Sequence, residues 1–349
     1  MADAPALTAK PAADLPFEQA IFARSPLGPG ATALLIFAVP FGTFLLIAAA
    51  EGVTTFRRAG GGFVLSGGAW SAFVLSLLCC AALGMQRQAR LAEARDAPRY
   101  ARILTGGMAS ARDVTSLVPR EARYLRATLI GGAIGLGLSF IILLTEIRES
   151  HLAAPFTMLW FAAATTFMAI LFARGVEQTR AGNRGYARTL NAELKIDLLR
   201  TDTLSVLGRS AARSALIWFV ISAISCLFFV GGDLNWLTVL LALACAAIGV
   251  GHFAAVMGRI HRQIATAKAA ELEHVRRRID LLRASLHEDA FASASLHGLL
   301  AYEKRVLEAP EWPFDQTTAV RVGASALILT VPWFGQAVAA YLVEHLGRG

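Results

Sequence analysis

The stretch Leu234 to Met257, LNWLTVLLALACAAIGVGHFAAVM, contains no Asp, Glu, Lys or Arg, and it decides the class of the chain. Crossing ~30 Å of hydrocarbon takes about 20 residues of helix, because a helix satisfies its backbone hydrogen bonds without water. Six other runs share the property: Ala31 to Ala50, Phe63 to Gly84, Thr128 to Thr145, Leu152 to Ala173, Ser214 to Gly231 and Val322 to Val343. Within the seven, His252 is the one ionisable imidazole. The runs predict an all-α protein, a polytopic transmembrane helix bundle of about seven spans.

Composition agrees. Across 349 residues, 56% hydrophobic content, 17% charged content and a mean hydropathy of +0.54 supply more apolar surface than a soluble core of this size uses. The net charge of +8 is spread between apolar runs and not gathered on a separate domain, which fits membrane orientation and argues against nucleic-acid binding. Cys79, Cys80, Cys226 and Cys245 lie inside apolar runs and read as small packing residues, not as thiol or metal chemistry. Lysine occurs only at Lys10, Lys195, Lys268 and Lys304, a bias towards Arg that points to a GC-rich bacterial genome and hence to the bacterial cytoplasmic (inner) membrane.

Orientation follows from the arginines, since cytoplasmic connectors keep the excess of positive charge. The connector 85–127 carries nine of them, among them Arg87, Arg90, Arg99 and Arg126, and the connector 174–213 carries seven with Lys195. The turns at 51–62, 146–151 and 232–233 hold only Arg57, Arg58 and Arg148. The N-terminus is therefore predicted to be cytoplasmic and the C-terminus to face the other side. Ala48, Ala49 and Ala50 resemble a signal-peptidase site, but the polar stretch before the first span is too long for an ordinary leader, so the span is expected to be retained.

The expected organisation is a cytoplasmic tail over 1–30, a six-span bundle over 31–257, a cytoplasmic helical hairpin over 258–317 and a last span with the C-terminus over 318–349. In the hairpin, Leu272, Val275, Ile279, Leu282 and Leu286 recur at spacings of three and four, a helical stripe that either packs within the protein or binds a partner helix. A second short helix is expected after a break near 287–295. A phrase built on Asp113, Ser116 and Arg120 returns as Asp202, Ser205 and Arg209, and in shortened form at Asp315, Thr318 and Arg321. It reads either as a duplicated hairpin unit or as the cap and Arg that any entering helix wants.

Glu311, Trp312, Pro313, Phe314 and Asp315 spell EWPFD before the last run. Pro313 should interrupt a helix, Trp312 and Phe314 suit the headgroup level, and Asp315 can cap the last span, which makes an interfacial elbow. The latter half of the chain resembles a set of uncharacterised bacterial multi-pass inner-membrane proteins, which have a similar EWPFD phrase before a proline-containing final span and a phrase like Ile196 to Arg209 before an earlier one. That resemblance implies the membrane fold and brings no activity.

Chemistry is sparse. No string has the form of a nucleotide-binding P-loop, and Gly131, Gly132, Gly135 and Gly137 sit in an apolar run with no strand before them, so Gly131 and Gly135 read as a GxxxG helix-packing pair. No histidine pairs with another His or with Cys at zinc-site spacing, and the loose group His287, Glu288, Asp289 and His297 reads as solvated connector. No catalytic, cofactor or metal residue is assigned, and no cofactor is expected. Three functions are weighed, of which the first is the expected one, the second its alternative, and the third, an enzyme, is not expected. The first is a non-enzymatic scaffold, sensor or assembly factor that contacts the lipid bilayer and binds a protein partner or a second copy through its cytoplasmic helices. The second is a transporter or channel using helices broken at Pro40 and Pro332, with Gln336 nearby. The third is a membrane enzyme with His252, His261 and acidic residues around a polar cavity at the membrane face.

Overall fold

A computed structural model describes residues 17–59, 62–115, 121–148, 154–231, 236–285 and 290–312. It is an all-α bundle. The helices are α1 (Phe17–Arg24), α2 (Pro29–Ala50), α3 (Gly67–Ile103), α4 (Gly107–Thr115), α5 (Glu121–Arg148), α6 (Pro155–Glu193), α7 (Ser205–Cys226), α8 (Trp236–Ser285) and α9 (Ala290–Glu308). Among the described residues six helices are long and apolar enough to cross a membrane: α2, α3, α5, α6, α7 and α8. The expected seventh span, with Pro332 and Gln336, lies outside the described residues.

Helices α2, α3, α5, α6, α7 and α8 turn back on one another, which gives the bundle two ends. At the turn end, β1 (Phe56–Ala59) and β2 (Gly62–Leu65) form an antiparallel pair with Arg57 opposite Val64 and Arg58 opposite Phe63. The second apolar run therefore becomes helix only at Gly67, not at Phe63 as its hydropathy suggests: Phe63, Val64 and Leu65 favour strand, and a facing strand is at hand. Glu51, just past α2, accepts hydrogen bonds from Phe156 N (2.7 Å), Thr157 N (2.8 Å) and Thr157 Oγ1 (2.6 Å). It thereby caps the exposed N–H groups that begin α6 and places a negative charge at the positive end of that helix dipole. Partial burial raises the Glu51 pKa, but the bonds from Thr157 and Phe156 outweigh it and hold the carboxyl below the ordinary carboxylate range. Nearby, Trp70 Nε1 donates to Leu227 O at 2.7 Å, joining α3 to the 3₁₀ turn after α7.

At the arginine-rich end the long helices do not stop where their apolar runs stop. α3 has 37 residues, α6 has 39 and α8 has 50, so at 1.5 Å per residue α8 is about 75 Å long. The connectors 85–127 and 174–213 are thus largely helix. Their ends meet, with Lys195 N donating to Ile103 O at 2.8 Å, and they share an apolar core of Tyr100, Ile103, Leu204, Leu207, Met257 and Ile260. Of the returning phrase, Ser116, Arg120 and the shortened copy at Asp315 lie outside the described residues, and the two described aspartates differ in setting. Asp113 falls inside α4, whereas Asp202 lies in a 3₁₀ turn (Thr201–Leu204) before α7. Leu204, and not Ser205, is the residue that precedes α7, and it makes no side-chain cap.

Inside the apolar stretches, several serine hydroxyls are satisfied by carbonyls. Ser76 Oγ donates to Ala72 O (2.8 Å), Ser139 Oγ to Gly135 O (2.8 Å) and Ala162 O (3.1 Å), and Ser222 Oγ to Ala242 O (2.8 Å). Such bonds hide the hydroxyl in its own helix or bridge to a neighbour, as a medium without water requires. α2 runs unbroken through Pro40. The ring removes one backbone bond but leaves the helix continuous, so no interrupted helix is formed there.

Candidate functional site: a polar chamber at the arginine-rich end

Where α3, α6, α7 and α8 leave their apolar stretches, they line a partly open cavity of about 120 Å³. One wall is apolar, with Trp218, Ile221 and Phe172 continuing the core built on Val74, Leu78 and Cys245. The opposite wall, Val256 and Ala211, belongs to the second core around Met257 and Ile260. Between these two greasy layers the lining carries a set of polar side chains among apolar ones: Gln86, Arg90 and Glu93 from α3, Gln178 and Tyr186 from α6, Arg213 and Ser214 from α7, and His252 from α8.

The charges around it are arranged by α3. Asp96 is 5% exposed and accepts from Arg99 Nη1 at 2.7 Å and from Arg213 Nη2 at 2.9 Å, so a carboxylate one turn below the chamber fixes the guanidinium of α7. Arg213 Nη1 remains buried with no protein partner, and so does His252 Nδ1. The Tyr100 and Tyr186 hydroxyls are hydrogen-bonded to each other below this level. A buried polar atom without a partner costs about 1–3 kcal/mol, so two beside one cavity mark a place where another group is wanted.

The residues singled out in the sequence fall elsewhere. Gly131 and Gly135 face α6: a Cβ on Gly131 would lie 2.7 Å from Ala169 O, and one on Gly135 would lie 2.5 Å from Thr166 Cα. These two glycines let the backbones of α5 and α6 touch. In the stripe, Val275 and Ile279 are buried where α9 packs along α8, Leu272 and Leu282 are half-buried, and Leu286 is outside the described residues. The stripe's centre is interior to the hairpin. Trp312 stacks on His261 with ring centroids 4.3 Å apart, and Glu311 O lies 3.1 Å from His261 Nδ1. Trp312 is therefore held against α8; Pro313, Phe314 and Asp315 lie outside the described residues. His261 is accordingly not in the chamber with His252. Pro40 lies on a groove of about 540 Å³ between α2 and α6 whose walls include Ile36, Val39 and Phe167. Among the described residues no group of three His, Cys, Asp or Glu is placed to hold a metal ion.

Sequence reading missed Glu93, Asp96 and Arg213. The arginines of the two connectors were counted as a signal of orientation, which says nothing about which of them pairs with a carboxylate on another helix 117 residues away. The same holds for Arg174, whose guanidinium meets Glu18 of α1 at 2.6 Å and lies 4.2 Å from the ring centre of Tyr124 on α5.

The outer surface of the bundle is apolar. On α5, Leu129, Leu136 and Phe140 are 65%, 64% and 60% exposed, a face that hydrocarbon tolerates and water does not. With six such apolar helices the chain is an integral membrane protein of the all-α, multi-pass kind. Comparison with family models, with curated proteins and with solved structures finds no match.

Proposed function

We propose that this chain is a non-enzymatic membrane protein, a sensor, scaffold or assembly factor, that holds a protein partner or a second copy of itself through helices on the cytoplasmic side of a bacterial inner membrane. The observation that carries the reading is the continuity of α3, α6 and α8 from their apolar stretches into a jointly packed layer with its own core, which makes the bundle and the projecting helices one lever. The positive-inside rule supports a cytoplasmic position for that layer and for the N-terminus.

With Val275 and Ile279 covered, the surface offered by the hairpin is its outer face. There Leu281 is 73% exposed, and Leu300 and Leu307, one heptad apart on α9, are 43% and 48% exposed. In a detergent pull-down the wild-type chain should retain one stoichiometric partner or copy, and Leu300→Asp with Leu307→Asp should lose it while remaining membrane-inserted. Absence of any stoichiometric partner from the wild type would remove this reading. Transport remains the second reading; α2, continuous through Pro40, lends it no broken helix, and a chamber bounded by two apolar layers is the feature that speaks for it.

A further inference from the structure

We propose that the chamber between α3, α6, α7 and α8 is a binding site for a small oxyanion, of carboxylate or phosphate chemistry. Arg213 presents half of its planar fork to Asp96 and leaves Nη1 buried with no acceptor. His252, entering on α8, leaves Nδ1 buried without a protein partner, and its Nδ1-protonated tautomer would donate there. Arg213 needs an acceptor, an Nδ1-protonated His252 would share it, and an oxyanion supplies several in a plane that suits a guanidinium.

Arg90 and Arg213 line the chamber with Glu93, and Asp96 holds the other half of the Arg213 fork from one turn away. Size fits as well. A single water needs ~10–15 Å³, so about 120 Å³ accommodates a ligand of a few heavy atoms and excludes anything as large as a nucleotide. The site is independent of the hairpin's outer face, and a partner-binding defect leaves it untouched. Its position between the membrane core and the projecting core gives a bound anion leverage on how α3, α7 and α8 lie against one another.

The test uses the purified full-length chain in detergent, titrated with sodium acetate and, separately, with sodium phosphate, with ionic strength held by sodium chloride, while thermal unfolding is followed. A saturable rise in Tm with one of the two oxyanions is expected, and the arm that saturates assigns carboxylate or phosphate chemistry. Arg213→Lys keeps a cation for Asp96 but loses the fork, and should bind roughly tenfold more weakly or worse. His252→Ala removes an atom that has no protein partner, so the fold survives it, and it should weaken binding in the same direction. No saturable rise with either oxyanion, a rise unchanged in both variants, or a rise produced by ammonium chloride in their place would overturn the proposal.

Discussion

Two antiparallel hairpins of this molecule solve the same problem in different media. α5 and α6 meet inside the apolar layer through Gly131 and Gly135, backbone against backbone, with Ser139 bridging to Ala162 O. α8 and α9 meet beyond it through Val275, Ile279 and Val306 under a set of polar ties: Lys268 Nζ to Leu307 O (2.8 Å) and Ala309 O (3.0 Å), Arg276 Nε to Glu303 Oε1 (2.7 Å), and Tyr302 Oη to Glu271 Oε1 (3.0 Å). Lipid tails are as apolar as leucine, so no hydrophobic drive brings the first pair together, and close contact has to supply the attraction. Water supplies that drive for the second pair, and its charged groups fix register and finish a helix end.

The largest effect is expected where the membrane hairpin meets α1. Arg174→Ala strands the Glu18 carboxylate, 2% exposed, and should cost about 3–5 kcal/mol, read as loss of folded protein or a fall in Tm in detergent. Arg174→Ala with Glu18→Gln should recover much of it, since no unpaired charge remains.

Gly135→Val comes next. Its side chain would collide with the Thr166 backbone, and about 1–3 kcal/mol of overpacking is expected, whereas Gly137→Val, facing open space, should leave the thermal transition nearly unmoved. Equal tolerance at both positions would break the claim that glycine contact joins α5 to α6.

In the outer hairpin the ties should be cheaper to cut. Lys268→Met deprives the last carbonyls of α9 of their donor, for about 1–2 kcal/mol, and Arg276→Ala, at an arginine 59% exposed, should cost less than ~1 kcal/mol. Hydrogen exchange along α9 would separate the two, with faster exchange near Leu307 and Ala309 in Lys268→Met alone.

The smallest effect carries a pH signature. Because the folded-state pKa of Glu51 is lowered, its contribution is fully present above the ordinary carboxylate range and disappears as pH falls through the folded value. The Tm gap between wild type and Glu51→Gln should close on acidification; a gap that widens in acid would contradict the cap on α6.

How much the sequence disclosed depends on the quantity each signal measures. Hydropathy located α2, α3, α5, α6, α7 and α8, since a long uncharged run has few other uses, and periodicity of three and four marked the face of α8 on which Val275 and Ile279 are buried without telling a partner's helix from α9. The same hydropathy misread Phe63 to Leu65 as helix, because it is blind to the facing strand. The chamber was invisible for a related reason. Arg213 and Asp96 stand 117 residues apart, His252 sits in an apolar run, and only the packing of four helices shows that they share one space. Glu51 capping a helix 105 residues later is likewise a fact of the fold, not of any local pattern.

The central claim is that the six apolar helices are embedded in a bilayer, and extraction of membranes tests it most directly. After alkaline carbonate washing, the full chain should remain entirely in the membrane pellet and enter solution only with detergent. Recovery of folded, monodisperse protein in the detergent-free supernatant would contradict the account.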